Sequence, residues 1–323
     1  MNKHSALRSG SLLERAAAIY GFDAAFRSPS PQPSPEPQPV PAPVAQVVAA
    51  PAPEPEPQPE PQPRPEPEPQ PRLRAQPRRA AGRQPIDRAH LRAGGFIVPE
   101  APVTGLAEEI RIVKRQLLLG VRSPTAIPEE KRRTILVASG QPGEGKTFCA
   151  VNLALSLASE KDLEVLLVDG DFPKPEIPSL LGIEAGPGLV DAIADPSADP
   201  ERFVIETDVE GLSVLPAGRH ANNVPELLAS RRSRQVLASL TASHPTRLVI
   251  FDSPPALAAS PASVLAAHAG QTILVVKADE TTETDLRETA ALLSGCDTIS
   301  LLLNGTGLTA SGRRFGSYYG YGQ

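Results

Sequence analysis

The chain has 323 residues, a formal net charge of −5 and 40% hydrophobic residues, a balance that argues against a dedicated nucleic-acid binder. Its two cysteines, Cys149 and Cys296, have no metal-ligand spacing and make no disulfide framework, which suits the cytosol. No stretch approaches the ~18 uninterrupted apolar residues of a membrane span, and Glu14 and Arg15 break the apolar run that a secretory signal needs.

In chain order, Ser11 to Phe26 reads as a short helix with Leu12, Leu13, Ala16, Ile19 and Tyr20 on one side. No neighbouring core covers that side, so residues 1–28 are either a partner-docking helix or a transient helix in a loose arm. The composition then changes, because 20 of the 38 prolines fall between Pro29 and Pro77, mostly at every second position. Alternating proline forbids helix and ladder pairing and favours polyproline II, a semi-stiff spacer of about 3.1 Å per residue. From Arg72 to Arg92 seven arginines face one acid, Asp87. That stretch reads as a solvated basic linker, or one drawn to an anionic membrane surface. Residues 29–98 are thus expected to be a disordered linker, 99–308 a folded domain, and 309–323 a flexible tail.

The folded part opens with an amphipathic helix at Glu108–Gly120, with Ile110, Val113 and Leu117 toward a core. Its other face shows Glu108, Arg111 and Lys114, either a solvated face or a charge-complementary subunit contact. Strands are expected at Thr134–Ala138, Glu164–Val168, Leu212–Leu215, Arg247–Phe251, Thr272–Val276 and Ile299–Leu303. Helices alternate with them at Thr147–Ser159, Val224–Leu240, Ala259–His268 and Glu283–Ser294. Short strands rich in Val, Ile and Leu predict an α/β fold: a doubly wound, mostly parallel sheet buried on both faces.

The first strand runs into Gly140-Gln141-Pro142-Gly143-Glu144-Gly145-Lys146-Thr147, which fits G-x-x-x-x-G-K-[ST] and is followed by a helix. Its glycines turn backbone N–H groups onto nucleotide phosphates, Lys146 reaches the β- and γ-phosphates, and Thr147 binds Mg²⁺. The second strand ends in Asp169-Gly170-Asp171, and a later one in Asp252-Ser253-Pro254-Pro255. Carboxylates at the C-terminal edge of such a sheet suit Mg²⁺ binding and proton acceptance from a hydroxyl. Three of the four tyrosines, Tyr318, Tyr319 and Tyr321, crowd the final six residues among glycines. They have no apolar periodicity to make them core, and are accessible phenols for phosphoryl transfer in another subunit.

Together these motifs resemble the bacterial tyrosine kinases of capsule and exopolysaccharide synthesis, the BY-kinases, over roughly Ala107 to the C-terminus. Ser11–Ala16 and Glu109–Arg115 also look like the exosortase (XrtA)-associated autokinase subgroup. The resemblance implies a P-loop NTPase fold and an ATP- and Mg²⁺-dependent protein-tyrosine autokinase. Gly140 to Phe148 would bind nucleotide, with Asn304 near the adenine. Lys146, Asp169, Asp171 and Asp252 would be catalytic; Thr147, Asp169 and Asp252 would hold Mg²⁺. Tyr318, Tyr319 and Tyr321 would accept phosphate. Glu108, Arg111 and Lys114 match the family's E-x-x-R-x-x-R ring-assembly signature, with Lys in the last place. The implied partners are further copies in a ring, a separate membrane polysaccharide co-polymerase as activator, and a tyrosine phosphatase. The implied location is the cytoplasm, at the inner face of the membrane. Pro173 stands where the family has a basic residue after its second Asp motif, with Lys174 next. Two rivals remain. One is a partitioning or cell-division positioning ATPase, although Gln141 occupies the place of that group's extra lysine. The other is a non-catalytic nucleotide-binding scaffold.

Overall fold

The computed structural model describes residues 82–123, 126–219, 223–242 and 244–306. The docking helix expected at Ser11–Phe26, the proline-rich stretch and the tail tyrosines Tyr318, Tyr319 and Tyr321 lie outside the described residues.

The described residues build one seven-stranded sheet of order β3-β4-β2-β5-β1-β6-β7. Its strands are β1 Thr134–Ser139, β2 Glu164–Asp169, β3 Ile205–Glu206, β4 Leu212–Leu215, β5 Arg247–Asp252, β6 Gln271–Lys277 and β7 Ile299–Asn304. All neighbours pair parallel except β3 with β4. The six expected strands are present within one residue at each end; β3, two residues long, leaves no pattern to read.

Side chains alternate across each strand, so each strand serves two cores. Ile135 and Val137 of β1 join Val165, Leu167, Ile250 and Ile273 in one layer. Leu136 and Ala138 join Leu166, Val168, Val249 and Phe251 in the other. The first layer is closed by α1 Arg88–Ala93, α2 Gly105–Arg122 and α4 Lys146–Ala158, with α3 Glu129–Arg132 a single turn before β1. After β2, α5 Ile177–Leu181 also joins the first layer. The second is closed by α6 Leu189–Ala194, α7 Val224–Ala229, α8 Arg231–Ala242, α9 Pro261–His268 and α10 Glu283–Leu292. The single helix expected over Val224–Leu240 is two, because Ser230 is extended. Its Oγ then accepts the Ser233 N–H at 3.0 Å, capping the second helix.

The boundary expected at residue 99 is corrected. Residues 82–98 are not a linker but a strap folded onto the domain. Gln84 bridges to Thr207 beside β3, with Gln84 N–H donating to Glu206 O and Asp208 N–H to Gln84 O, both at 2.9 Å. The Asp208 carboxylate accepts from Ile86 N–H at 3.0 Å and pairs with Arg88 at 2.7 Å. Asp87 caps α1 through the N–H groups of Ala89 and His90. Leu91 is fully buried. Farther on, Ile97 N–H donates to Asn152 Oδ1 at 2.7 Å, and the Phe96 ring lies 4.8 Å from that of Phe148. The arginine density of this stretch hid a cap, two buried aliphatics and a ladder pair.

Candidate nucleotide site

The parallel strands aim their C-terminal ends at one edge, where open α/β sheets collect ligands. β1 delivers the glycine loop to that edge from the centre of the sheet. Gly143 and Gly145 have φ of +81° and +96°, which L side chains rarely adopt. Gly145 also passes under Asn304: a Cβ there would lie 2.1 Å from the Asn304 Nδ2. The loop opens into α4 at Lys146, so unpaired backbone N–H groups of the first helical turn face the edge.

β2 and β5 are neighbours, and Asp169 and Asp252 are paired in register at their ends. The two strands therefore bring their carboxylates to one place. Thr147 Oγ1 donates to Asp252 Oδ2 at 2.6 Å, and the Lys146 ammonium reaches Asp171 Oδ2 at 2.6 Å. Lys146 Nζ also lies 3.2 Å from Thr147 Oγ1. Lys146, Thr147, Asp171 and Asp252 thus form a chain of contacts beside the glycine loop.

The three aspartates differ. Asp252 is buried, and its Oδ1 has no hydrogen-bond partner among the described residues. Burial pushes its carboxyl up to about 7, against the pull of Lys146 and the Thr147 hydroxyl. Asp169 is also pushed up to about 7 by burial, but both its oxygens are engaged. Oδ2 accepts Ile177 N–H at 3.1 Å and Oδ1 accepts Asp171 N–H at 3.3 Å. It therefore holds the loop after β2 in shape. Cys149, in α4, is pushed up to about 12 by burial and then by Asp252, so it remains a thiol and packs as a small core residue.

Several expected site residues sit differently from the sequence reading. Lys114 is not on a free charged face: it is buried, donates to Ser156 O at 2.9 Å and pairs with Glu160 at 2.7 Å. The neighbouring helix needs a cation at its C-terminal end, and α2 supplies it. Glu108 and Arg111 pair with each other on the outer side. The Phe148 side chain rests on Phe96 within the domain. Lys174, the displaced cation after the second Asp motif, is exposed and pairs with Glu176 at 2.7 Å. The Asn304 amide donates to Glu144 O at 2.9 Å, which ties β7 to the phosphate loop. The sequence reading missed Thr281, which hydrogen-bonds the Glu144 carboxylate. Nothing in its Thr-Thr-Glu context separates it from an ordinary helix cap.

The chain's sequence and fold also have counterparts among known proteins. The family described as "ParA: NUBPL iron-transfer P-loop NTPase" matches residues 130–296, more than half of the chain. The chain belongs to this ParA family of P-loop NTPases. As a P-loop NTPase it binds nucleotide; the iron transfer is that of the protein named in the description. This ParA-family chain is also a distant homologue of the bacterial tyrosine kinases. It is 29% identical to the tyrosine-protein kinase YwqD of Bacillus subtilis over 195 residues, which is 60% of this chain and 78% of YwqD. With the tyrosine-protein kinase wzc of Salmonella typhimurium it shares 30% identity over 229 residues, 66% of this chain. That match spans only 31% of wzc, and other long relatives are matched over as little as 21% of their length. In three dimensions it resembles the BceF tyrosine kinase domain with a TM-score of 0.54 and 27% identity, covering 68% of this chain and 91% of BceF. No helix among the described residues is long and apolar enough to cross a membrane.

Proposed function

We propose that the chain is an ATP-dependent protein-tyrosine autokinase. It would phosphorylate Tyr318, Tyr319 and Tyr321 in the tail of an adjacent copy and regulate polysaccharide polymerisation and export. The observation that carries this reading is the unpartnered Oδ1 of buried Asp252 beside the Thr147 hydroxyl, next to the Lys146–Asp171 pair. A buried carboxylate oxygen without a donor is costly unless a cation meets it. The donor set of one carboxylate, one hydroxyl and substrate phosphates suits Mg²⁺, which takes few protein ligands and keeps its remaining places for water and phosphate. Asp252 and Thr147 would hold that ion. Once bound, it supplies neutralisation of phosphate charge.

This chain's own groups then divide the work. The N–H groups of the glycine loop and of the start of α4 orient the phosphates. Lys146, now paired with Asp171, would turn to the β- and γ-phosphates, which are the stronger anion. That exchange would free the Asp171 carboxylate. The tyrosine oxygen attacks the γ-phosphorus, the bond to the β–γ bridging oxygen breaks, ADP leaves, and Asp171 takes the phenol proton. Asp169 would act through shape, holding Asp171 and Ile177 by their N–H groups. Of the ring-contact residues, Glu108 and Arg111 remain on an outer face. Lys114, buried within its own chain, is not assigned to that contact.

We further propose the wider setting: a ring of copies, activation by a separate membrane polysaccharide co-polymerase, reversal by a tyrosine phosphatase, and cytoplasmic work at the membrane's inner face. The exosortase-associated subgroup belongs to the same proposal. Incubation of the pure chain with Mg-ATP tests its core. Phosphotyrosine that disappears on truncation after Gly312 supports the kinase. Free phosphate without phosphotyrosine would instead support a ParA-type switch, and neither product would leave a scaffold.

A further inference from the structure

Glu144 is an odd residue to find in a loop that must receive polyphosphate. Its neighbours Gln141, Pro142 and Gly143 are exposed, yet Glu144 itself is 4% exposed. The carboxylate is turned inward and used twice. Oε2 accepts the N–H of Gln141 at 2.9 Å, and Oε1 accepts the hydroxyl of Thr281. Thr281 is itself held in a tight turn after β6: its Oγ1 accepts Lys277 N–H at 2.9 Å, and its N–H donates to Lys277 O at 3.1 Å. The same turn is tied to β7, because Ala278 N–H donates to Asn304 O at 2.8 Å. Asn304 then closes the circuit with its amide on Glu144 O. The phosphate loop, the Lys277–Thr281 turn and the end of β7 are one hydrogen-bonded ring.

That ring decides the loop's shape. The Gln141 N–H bond folds the loop back on itself, and the Thr281 bond fixes where the fold sits relative to β6. We propose that Glu144 and Thr281 form a latch that positions the phosphate loop for nucleotide, so that the turn after β6 controls affinity without touching the reacting atoms. Both are positioning residues. The proposal rests on nucleotide binding at this loop, which titration of the unaltered chain and of Lys146→Met tests separately from the latch.

The test is a titration of the full chain with a fluorescent ATP analogue and Mg²⁺, paired with steady-state kinetics. Thr281→Val should raise the nucleotide Kd about 10-fold, the size expected for losing one well-made hydrogen bond to a charged group, and Glu144→Ala, which also loses the Gln141 N–H bond, should raise it about 10- to 30-fold. KM should rise in step while kcat at saturation stays within about twofold. Because the two changes remove one shared contact, the double variant should be no worse than about twofold beyond the weaker-binding single. Thr281→Ser, which keeps the hydroxyl, should restore affinity, and Glu144→Gln should fall between Glu144→Ala and the unaltered chain. Single variants that leave Kd within twofold overturn the latch. So do effects that multiply to about 100-fold or more in the double variant, since independent structural losses add.

Discussion

The nucleotide edge has two unlike flanks. On the β2–β5 side, Asp169, Asp171 and Asp252 stand close together, two of them pushed up to about 7 by burial, and one oxygen has no partner. On the β6–β7 side, Glu144, Thr281, Ala278 and Asn304 satisfy one another in a closed ring. The first flank keeps an unmet bonding need that a cation and a triphosphate can fulfil. The second spends the Glu144 carboxylate and the Thr281 hydroxyl on each other and instead fixes the geometry. Chemistry and shape are therefore separable here, and substitutions should separate them.

The largest expected effect is at Asp252. Asp252→Asn should cut phosphotyrosine formation on the order of 10³-fold, because it removes the cation's carboxylate. The melting temperature should hold or rise, since a buried carboxylate with an unpaired oxygen becomes a neutral isostere. A chain that melts several degrees lower and still phosphorylates would erase the contrast between the flanks. Asp171→Asn comes next. Loss of the proton acceptor should cost roughly 10²- to 10³-fold in rate, while nucleotide binds as well or better once Lys146 is released. Weaker nucleotide binding with an unchanged rate would instead make Asp171 a structural partner of Lys146. On the other flank, the changes at Glu144 and Thr281 should stay within a few tens-fold, roughly 10-fold for Thr281→Val, and appear in KM.

The smallest effect lies away from the edge, at Lys114. Lys114→Met should cost about 1 kcal/mol of stability, one hydrogen bond to Ser156 O and one ion pair with a carboxylate that water can reach. The pH dependence has a definite sign. The hydrogen bond from Lys114 holds the Glu160 carboxyl below its ordinary value. A carboxyl lowered on folding stabilises the native state above its unfolded pKa, about 4.3, and that contribution fades as pH falls through the lower folded value. Denaturation midpoints of the two proteins should therefore differ at pH 7 and draw together below about pH 4. A gap that widens in acid would reject the pairing.

What the sequence disclosed follows from how local each signal is. The strands and the glycine loop were legible because each is one uninterrupted pattern: a run of Val, Ile and Leu, or a fixed spacing of Gly, Lys and Thr. Asp169 and Asp252 were legible as the last residues of such runs. Roles set by distant partners were not. Lys114 looked like one step of an exposed charged stripe until Ser156 and Glu160 of another element enclosed it. Residues 82–98 looked like more basic linker, because the Asp208 carboxylate and the β3 edge that hold them come more than a hundred residues later. The latch is of the same kind, since Glu144 and Thr281 are 137 positions apart.

The measurement that bears most directly on the central claim is a mixing experiment. The Lys146→Met chain, with its tail intact, is incubated with Mg-ATP and an otherwise unaltered chain truncated after Gly312, and the tail peptide is read by mass spectrometry. Phosphate on Tyr318, Tyr319 or Tyr321 of the Lys146→Met chain is the predicted result, since one molecule's site must serve another's tail. A tail that stays unmodified, in the mixture and in the unaltered chain alone, would contradict the account.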